Sequence, residues 1–401
     1  MEPSADLSAV CPFDATRDER KSARIAAERM VLEGHDAQVI RSFNFARDVL
    51  RNSVAKQAGA GAEQVDMGNP EHASVFFLDG EPHRRKRSAI ARFFTAKAVT
   101  TRYRAVMDRT THALLAQMKA AGGARLDAIS LQLAVAVAAE IVGLTNSDQA
   151  SMSSRIGLTL ASNPRAKSYW LARILQPILF RYRALNFFYR DVRPAITARR
   201  QARQDDIISH LLDEGYSNRG IMIECMTYAV AGMVTTREFI VMAAWHLFER
   251  EALRERFLAG DEDDQLAILE EILRLEPVAS ALRRRAAEEI SGPGSDTIAA
   301  GTVLAIDIRA ANTDESATGA CPYQIDPDRA QRMKIGGAYL SFGFGSHRCP
   351  GSQVAMHETR VFLDGLLRVP GIRLDCEPQI GWNRMLMSYE LRDARVACDR
   401  G

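Results

Sequence analysis

The sequence predicts a mainly α protein with small β-sheets (α+β). Three observations carry this reading. Apolar residues recur at three-four spacing through 97–160, 218–250, 266–276 and 353–367, the period of an amphipathic helix. Strand-like alternation is confined to short stretches, chiefly 297–308 and a short strand pair within 16–56. No Pro/Gly/Ser-rich linker, internal repeat or low-complexity run divides the 401 residues, so one domain over 1–401 is expected.

Composition narrows the function classes. With 47% hydrophobic and 25% charged residues the chain is globular, and a net charge of +2 gives no global case for nucleic acid. The six cysteines (Cys11, Cys225, Cys321, Cys349, Cys376, Cys398) show no CxxC or zinc spacing, so unpaired thiols in a reducing compartment are expected. The polar start Met1-Glu-Pro-Ser-Ala-Asp6 is unlike a signal peptide. No apolar run reaches the length of a membrane span; the best, 131–144, is broken by Glu140. A cytoplasmic location without a membrane span follows as an expectation.

In chain order, 59–69 is rich in Gly, Ala and polar residues and reads as a loop. Next comes Leu78-Asp-Gly-Glu-Pro-His-Arg-Arg-Lys-Arg, where Pro82 suits a first helical turn. His83 and Arg87 are four apart and share a helix face. Two such groups could clamp a carboxylate, or simply form a solvated basic face. The stretch 165–202 is dense in Trp, Tyr, Phe and Arg, and Pro177 should break or kink a helix there. From 218 to 250 no proline interrupts the pattern. About thirty residues at 1.5 Å each make a helix of roughly 45 Å. In its middle lies Ala231-Gly-Met-Val-Thr-Thr-Arg-Glu238, whose glycine costs about 1 kcal/mol relative to alanine. Close approach of a ligand is one compensation. Glu271 and Arg274 then fall at i, i+3 on one helix face, a common surface pair. Further on, 297–308 looks like a hairpin around Gly301.

The most informative stretch is Ser341-Phe-Gly-Phe-Gly-Ser-His-Arg-Cys-Pro-Gly-Ser352, followed by a helical pattern from Gln353. Cys349 therefore sits where a Gly-rich loop enters a helix. Free N–H groups and partial positive charge at a helix start favour the thiolate. Gly343, Gly345 and Gly351 permit sharp turns and close approach to a flat ligand. Phe342 and Phe344 are placed to wall off the sulfur. A single thiolate on such a loop is one way to hold haem iron; a buried structural cysteine is the other reading.

This decapeptide resembles the haem-binding loop of the cytochrome P-450 family, F-x-x-G-x-x-x-C-x-G, with Phe342, Gly345, Cys349 and Gly351 on its four fixed positions. Other resemblances follow in the family's order. His83 and Arg87 match the C-helix pair that binds a haem propionate. Ala231, Gly232, Thr235 and Thr236 match the I-helix signature A-G-x-D/E-T-T, except that Val234 stands at the acidic position. Glu271 and Arg274 match E-x-x-R, a structural ion pair. Arg284 aligns with the arginine on the second propionate, while Arg283 and Arg285 alternate to the other strand face. Ala311-Asn-Thr-Asp314 and Ile325-Asp-Pro-Asp-Arg329 resemble two family turns. Most of the first sixty and the last thirty residues carry little specific signal.

The resemblance implies the cytochrome P-450 fold, with haem b (iron protoporphyrin IX) between the long helix and the Cys349 loop, and Cys349 as metal ligand. His83, Arg87, Arg284 and His347 are the cations expected on the propionates, and Ala231, Gly232, Phe342, Gly345 and Gly351 the close neighbours of the ring. Thr235 and Thr236 are the expected catalytic alcohols. Val234 carries no proton, so Glu238 one turn on is either a substitute or an ordinary ion-pair partner of Arg237 or another base. Substrate contacts are expected from Val75, Phe76, Ala231, Val234, Thr235, Val278 to Leu282, and Met385 to Met387 with Leu386 at its centre. Residues 165–202 would form a lid. The implied activity is hydroxylation of a largely hydrophobic small molecule with dioxygen, using electrons from a ferredoxin or flavodoxin and an NAD(P)H reductase, as in soluble bacterial members. Arg84, Arg85, Lys86 and Arg348 are expected to face outwards towards that donor. Peroxide-driven or rearranging chemistry, and a haem sensor, are the competing readings.

Overall fold

The computed structural model describes residues 18–24, 37–59, 73–160, 170–292, 296–383 and 386–400, with side chains omitted at 160 and 170–177. The expected loop at 59–69 lies outside these residues from 60 onward, as does Met385. The chain forms two compact units, each made of two stretches: 1–56 with 261–348, and 57–260 with 349–401. Helices dominate, and sheets are short.

In the first unit, strand Ala37–Ile40 runs parallel to Val303–Asp307, which pairs antiparallel with Ala281–Ala286. Both faces of Val303–Asp307 are covered, which explains its near-continuous apolar run. Ile40, Phe43, Leu50, Leu304, Ile306 and Leu340 belong to one core beneath it. The expected hairpin around Gly301 is corrected. Thr297–Ile298 pairs with Ile290–Ser291, while Val303–Asp307 pairs elsewhere. Gly301, at φ +86°, only turns the chain between them, its N–H donating to Ala286 O at 2.7 Å.

In the second unit, helix Leu126–Val142 is apolar around most of its circumference and is accordingly largely buried. It packs against Arg104–Ala121 and Thr235–Glu249, and Ser352–Leu367 packs on both of these. Gly122 and Gly143, at φ +77° and +98°, close two of these helices in the left-handed conformation that side chains disfavour. Helix Trp170–Phe187 continues through Pro177, so of the expected break or kink the break does not occur. No described helix is long and apolar enough to cross a membrane. Cys321 is disulfide-bonded, which corrects the expectation of six unpaired thiols; Cys225, Cys349, Cys376 and Cys398 are in no disulfide.

Candidate active site

In the first unit the loop ahead of Cys349 is set by backbone constraint. Gly343 and Gly345 have φ +68° and +71°. A Cβ on Gly345 would lie 2.3 Å from the carbonyl oxygen of Leu50, so the loop abuts the end of helix Phe43–Arg51. Phe344 is committed to the core of this unit, with the Arg47 guanidinium 5.2 Å from its ring centroid. Phe342 is half-buried. A short 3₁₀ turn, Gly345–His347, follows, with His347 half-buried and Arg348 exposed.

The Glu271 and Arg274 pair grows into a buried network. Arg274 donates to Glu271 at 2.7 and 2.8 Å and to the carbonyls of Asn312, Pro322 and Gln324. Arg329 donates to the same carboxylate at 3.0 Å and to the carbonyls of Thr318, Ala320, Cys321 and Gln324. Two guanidiniums, each fully engaged, thus pin several turns to one helix. The sequence shows Arg329 only as the end of a turn motif. In strand Ala281–Ala286, Arg284 is buried, Arg283 half-buried and Arg285 exposed. Val278 is buried, and Leu282 packs half-buried against the core.

In the second unit, Cys349 is half-buried and lies three residues before helix Ser352–Leu367, whose N-cap is Gly351. A Cβ on Gly351 would meet no atom within 4 Å, so there is room beside this turn. Cys225 is the opposite case: complete burial pushes its thiol well up.

The predicted long helix runs from Asn218 to Glu249, but it is not uniform. Ala229–Val234 is a π-helical turn between α-helices Asn218–Tyr228 and Thr235–Glu249. The mid-helix glycine signals an irregularity without saying which kind. Ala231 is exposed and Gly232 and Thr235 half-buried, while Met233 and Val234 are in the core. A Cβ on Gly232 would also meet nothing within 4 Å. Thr235 and Thr236 donate through Oγ1 to the carbonyls of Ala231 and Gly232, each at 2.6 Å. Val234 thus points away from the open face, 1% exposed. Glu238 is an ion-pair partner: Arg237 and Arg392 donate to its Oε1, and the Leu391 N–H to its Oε2 at 2.7 Å.

Helix Gly80–Ala91 buries His83 and half-buries Arg87 one turn later. Arg84 and Arg85 are exposed as expected. Lys86 is a correction: it turns inwards to the buried Glu224, at 3.3 Å. Val75 is half-buried, Phe76 is exposed with its ring edge-on to Phe77 at 5.1 Å, and Leu386 is half-buried. Burial pushes the Tyr228 phenol well above its ordinary value, and the Glu224 charge adds to this.

The donor set fits a thiolate-bound prosthetic group rather than a bare ion. Among the described residues no three His, Cys, Asp or Glu side chains gather to hold a metal by themselves. What the chain offers is one half-buried thiol ahead of a helix, with open space at the Cβ position of Gly351 beside it and of Gly232, as also at Gly80, Gly215, Gly301 and Gly336.

Comparison with known proteins agrees. The family model described as Cytochrome P450 matches residues 266–369. Nocardicin C N-oxygenase of Nocardia uniformis subsp. tsuyamanensis is 26% identical, over 88% of this chain and 87% of its own. Mycinamicin IV hydroxylase/epoxidase of Micromonospora griseorubida is 28% identical, again over 88% and 87%. Among solved structures, substrate-free CYP109E1 from Bacillus megaterium superposes with a TM-score of 0.77 at 20% identity, covering 92% of this chain and 94% of that one, which shows the shared fold. The chain is thus similar to cytochrome P450 proteins, by family model over 266–369 and by fold along most of its length.

Proposed function

We propose that the protein hydroxylates a largely hydrophobic small molecule, with haem b held by Cys349 and electrons delivered from NAD(P)H through a reductase and a ferredoxin or flavodoxin. The observation that carries this is the half-buried Cys349 thiol at the start of helix Ser352–Leu367, beside the open position at Gly351. When bound, haem supplies the dioxygen chemistry, and a thiolate ligand favours cleavage of the O–O bond.

The chain's own residues would do the rest. Cys349 binds, and Pro350, lacking an N–H, leaves the sulfur one donor fewer. His83, Arg87, Arg284 and His347 would hold the propionates through charge-assisted hydrogen bonds. Ala231, Gly232 and Thr235 supply a face with small side chains, where substrate and dioxygen can lie against the helix. Thr235 carries the proton of that face on Oγ1, held by the Ala231 carbonyl. Phe342, Gly345 and Thr236 keep the supporting roles of loop wall, loop turn and helix brace. Val75, Phe76, Val278, Leu282 and Leu386 would contact or back the substrate, and Val234 backs the helix from the core. Glu271 and Arg274 act structurally. Arg84, Arg85 and Arg348 lie exposed, Arg84 beside Glu81 at 2.7 Å, and would be the groups an acidic electron donor meets.

One observation favours a second reading, peroxide-driven turnover. Val234 has no acidic group and Glu238 is engaged by Arg237, Arg392 and the Leu391 N–H, so neither position offers a carboxyl to Thr235. Turnover with hydrogen peroxide alone, set against NADPH with ferredoxin and reductase, separates the two. The family reading is tested by the spectrum of the reduced protein under carbon monoxide. A thiolate-type Soret band that vanishes in Cys349→Ala supports it; a band that survives this change overturns it.

A further inference from the structure

The segment 73–77 carries Val75 and Phe76, and it is tied down by groups that have no part in the reaction proposed above. Ser74 is fully buried; its carbonyl accepts the Phe77 N–H at 3.0 Å and its hydroxyl the Phe76 N–H at 3.2 Å, closing a tight turn. Lys86, on helix Gly80–Ala91, donates through Nζ to the carbonyl of Ala73 at the root of this turn. The same ammonium donates to Glu224 Oε1 at 3.3 Å, on helix Asn218–Tyr228, and lies 4.9 Å from the centroid of the Tyr216 ring. Glu224 is 4% exposed, and its Oε2 is buried with no hydrogen-bond partner among the described residues. Burial raises its pKa, opposed by Lys86 and the Val75 backbone N–H.

A lysine on a helix with Arg84 and Arg85 at the surface would ordinarily be solvated. Here it is withdrawn from water, with its side chain 11% exposed, to meet a carboxylate at 5%. A buried pair of this kind contributes little net stability compared with apolar packing. What it does provide is direction, because an ammonium has several donors that can be shared between elements. Lys86 shares them between the turn's root and the helix that leads into Ala229–Val234.

We infer that Lys86 and Glu224 form a latch that fixes the 73–77 turn against helix Asn218–Tyr228, and that as positioning residues they set where Val75 and Phe76 stand and hence which substrates are accepted. The inference rests on the assignment of Val75 and Phe76 to the substrate pocket. A ligand filling that pocket would be selected by apolar shape, with the latch fixing the shape of one wall.

The test uses the haem-loaded enzyme and its Glu224→Gln, Lys86→Met and Lys86→Arg variants. Hydrogen exchange is followed at the Phe76 and Phe77 amides, and ligand dissociation constants and product ratios are measured for a steroid with two oxidisable positions. Glu224→Gln and Lys86→Met should each speed exchange at these amides by on the order of tenfold, as local opening becomes easier. Both should weaken ligand binding and shift the product ratio, while the carbon monoxide spectrum keeps its thiolate band. Lys86→Arg, which keeps charge and donors, should restore slow exchange and the original ratio. Unchanged exchange in both disrupting variants overturns the latch. Faster exchange with unchanged affinity and product ratio overturns its role in substrate choice. Loss of the thiolate band in the unaltered enzyme is a different failure, that of the family reading itself.

Discussion

Glu271 in the first unit and Glu358 in the second are each 2% exposed, but they are treated in opposite ways. Glu271 accepts from Arg274, Arg329 and the Asp326 N–H, at 2.7 to 3.0 Å. Glu358, on helix Ser352–Leu367, has a buried Oε1 with no hydrogen-bond partner among the described residues, and burial raises its pKa to about 8. The glycines repeat the contrast: Gly345 has a backbone oxygen where its Cβ would be, and Gly232 has open space. At these positions the first unit is fully partnered, as a scaffold requires. The second leaves a buried carboxylate oxygen unpaired at Glu358 and space unfilled at Gly232.

The largest test removes a partner from the scaffold. Arg274→Ala leaves the Glu271 carboxylate buried with one guanidinium fewer, and a loss of about 3–5 kcal/mol is expected. Urea denaturation measures it, and a loss under about 1 kcal/mol, the size of a surface pair, would remove the contrast between the units.

Glu358→Gln should act the other way. Its folded pKa, about 8, is above the unfolded value, taken as the reference 4.5. The native acid therefore keeps a proton that the unfolded chain releases. Its contribution is intact below pH 4.5, falls as pH rises, and is lost by pH 8. The glutamine variant should be the more stable at pH 8, by on the order of a few kcal/mol, with the gain fading towards pH 4.5. Thermal unfolding at both pH values decides it, and a gain independent of pH would refute a protonation origin.

The smallest effects sharpen the glycine comparison. Gly345→Ala meets both positive φ and the Leu50 carbonyl, and about 1–3 kcal/mol of stability should be lost. Gly232→Ala in the haem-free chain should gain up to about 1 kcal/mol from helix propensity, yet lower haem uptake. Equal losses in the two variants, measured by urea denaturation, would show that the space at Gly232 is not real.

What can be read from the sequence is local. The Cys349 loop, the pair Glu271 and Arg274, and the long helix around Gly232 are each set within about thirty residues by spacing and turn chemistry. What cannot be read is which distant group each side chain meets. In the sequence Glu238 stands between proton donor and ion-pair partner, and strand Ser388–Arg392, about 150 residues on, decides for the pair. Lys86 reads as one more exposed base, and Glu224, 138 residues away, draws it inwards. Val234 stands at the acidic position of a motif, and in the structure it lies in the core at the end of the π-turn. Arg329 shows itself as a turn ending, and its work lies with a carboxylate 58 residues earlier.

The seating of Gly345 against the Leu50 carbonyl gives the unremarkable amino-terminal stretch a purpose. Helix Phe43–Arg51 is the anvil on which the turn around Gly345 is shaped. Shortening the chain from its front end, though it would delete no recognised signature, should leave that turn without its backstop.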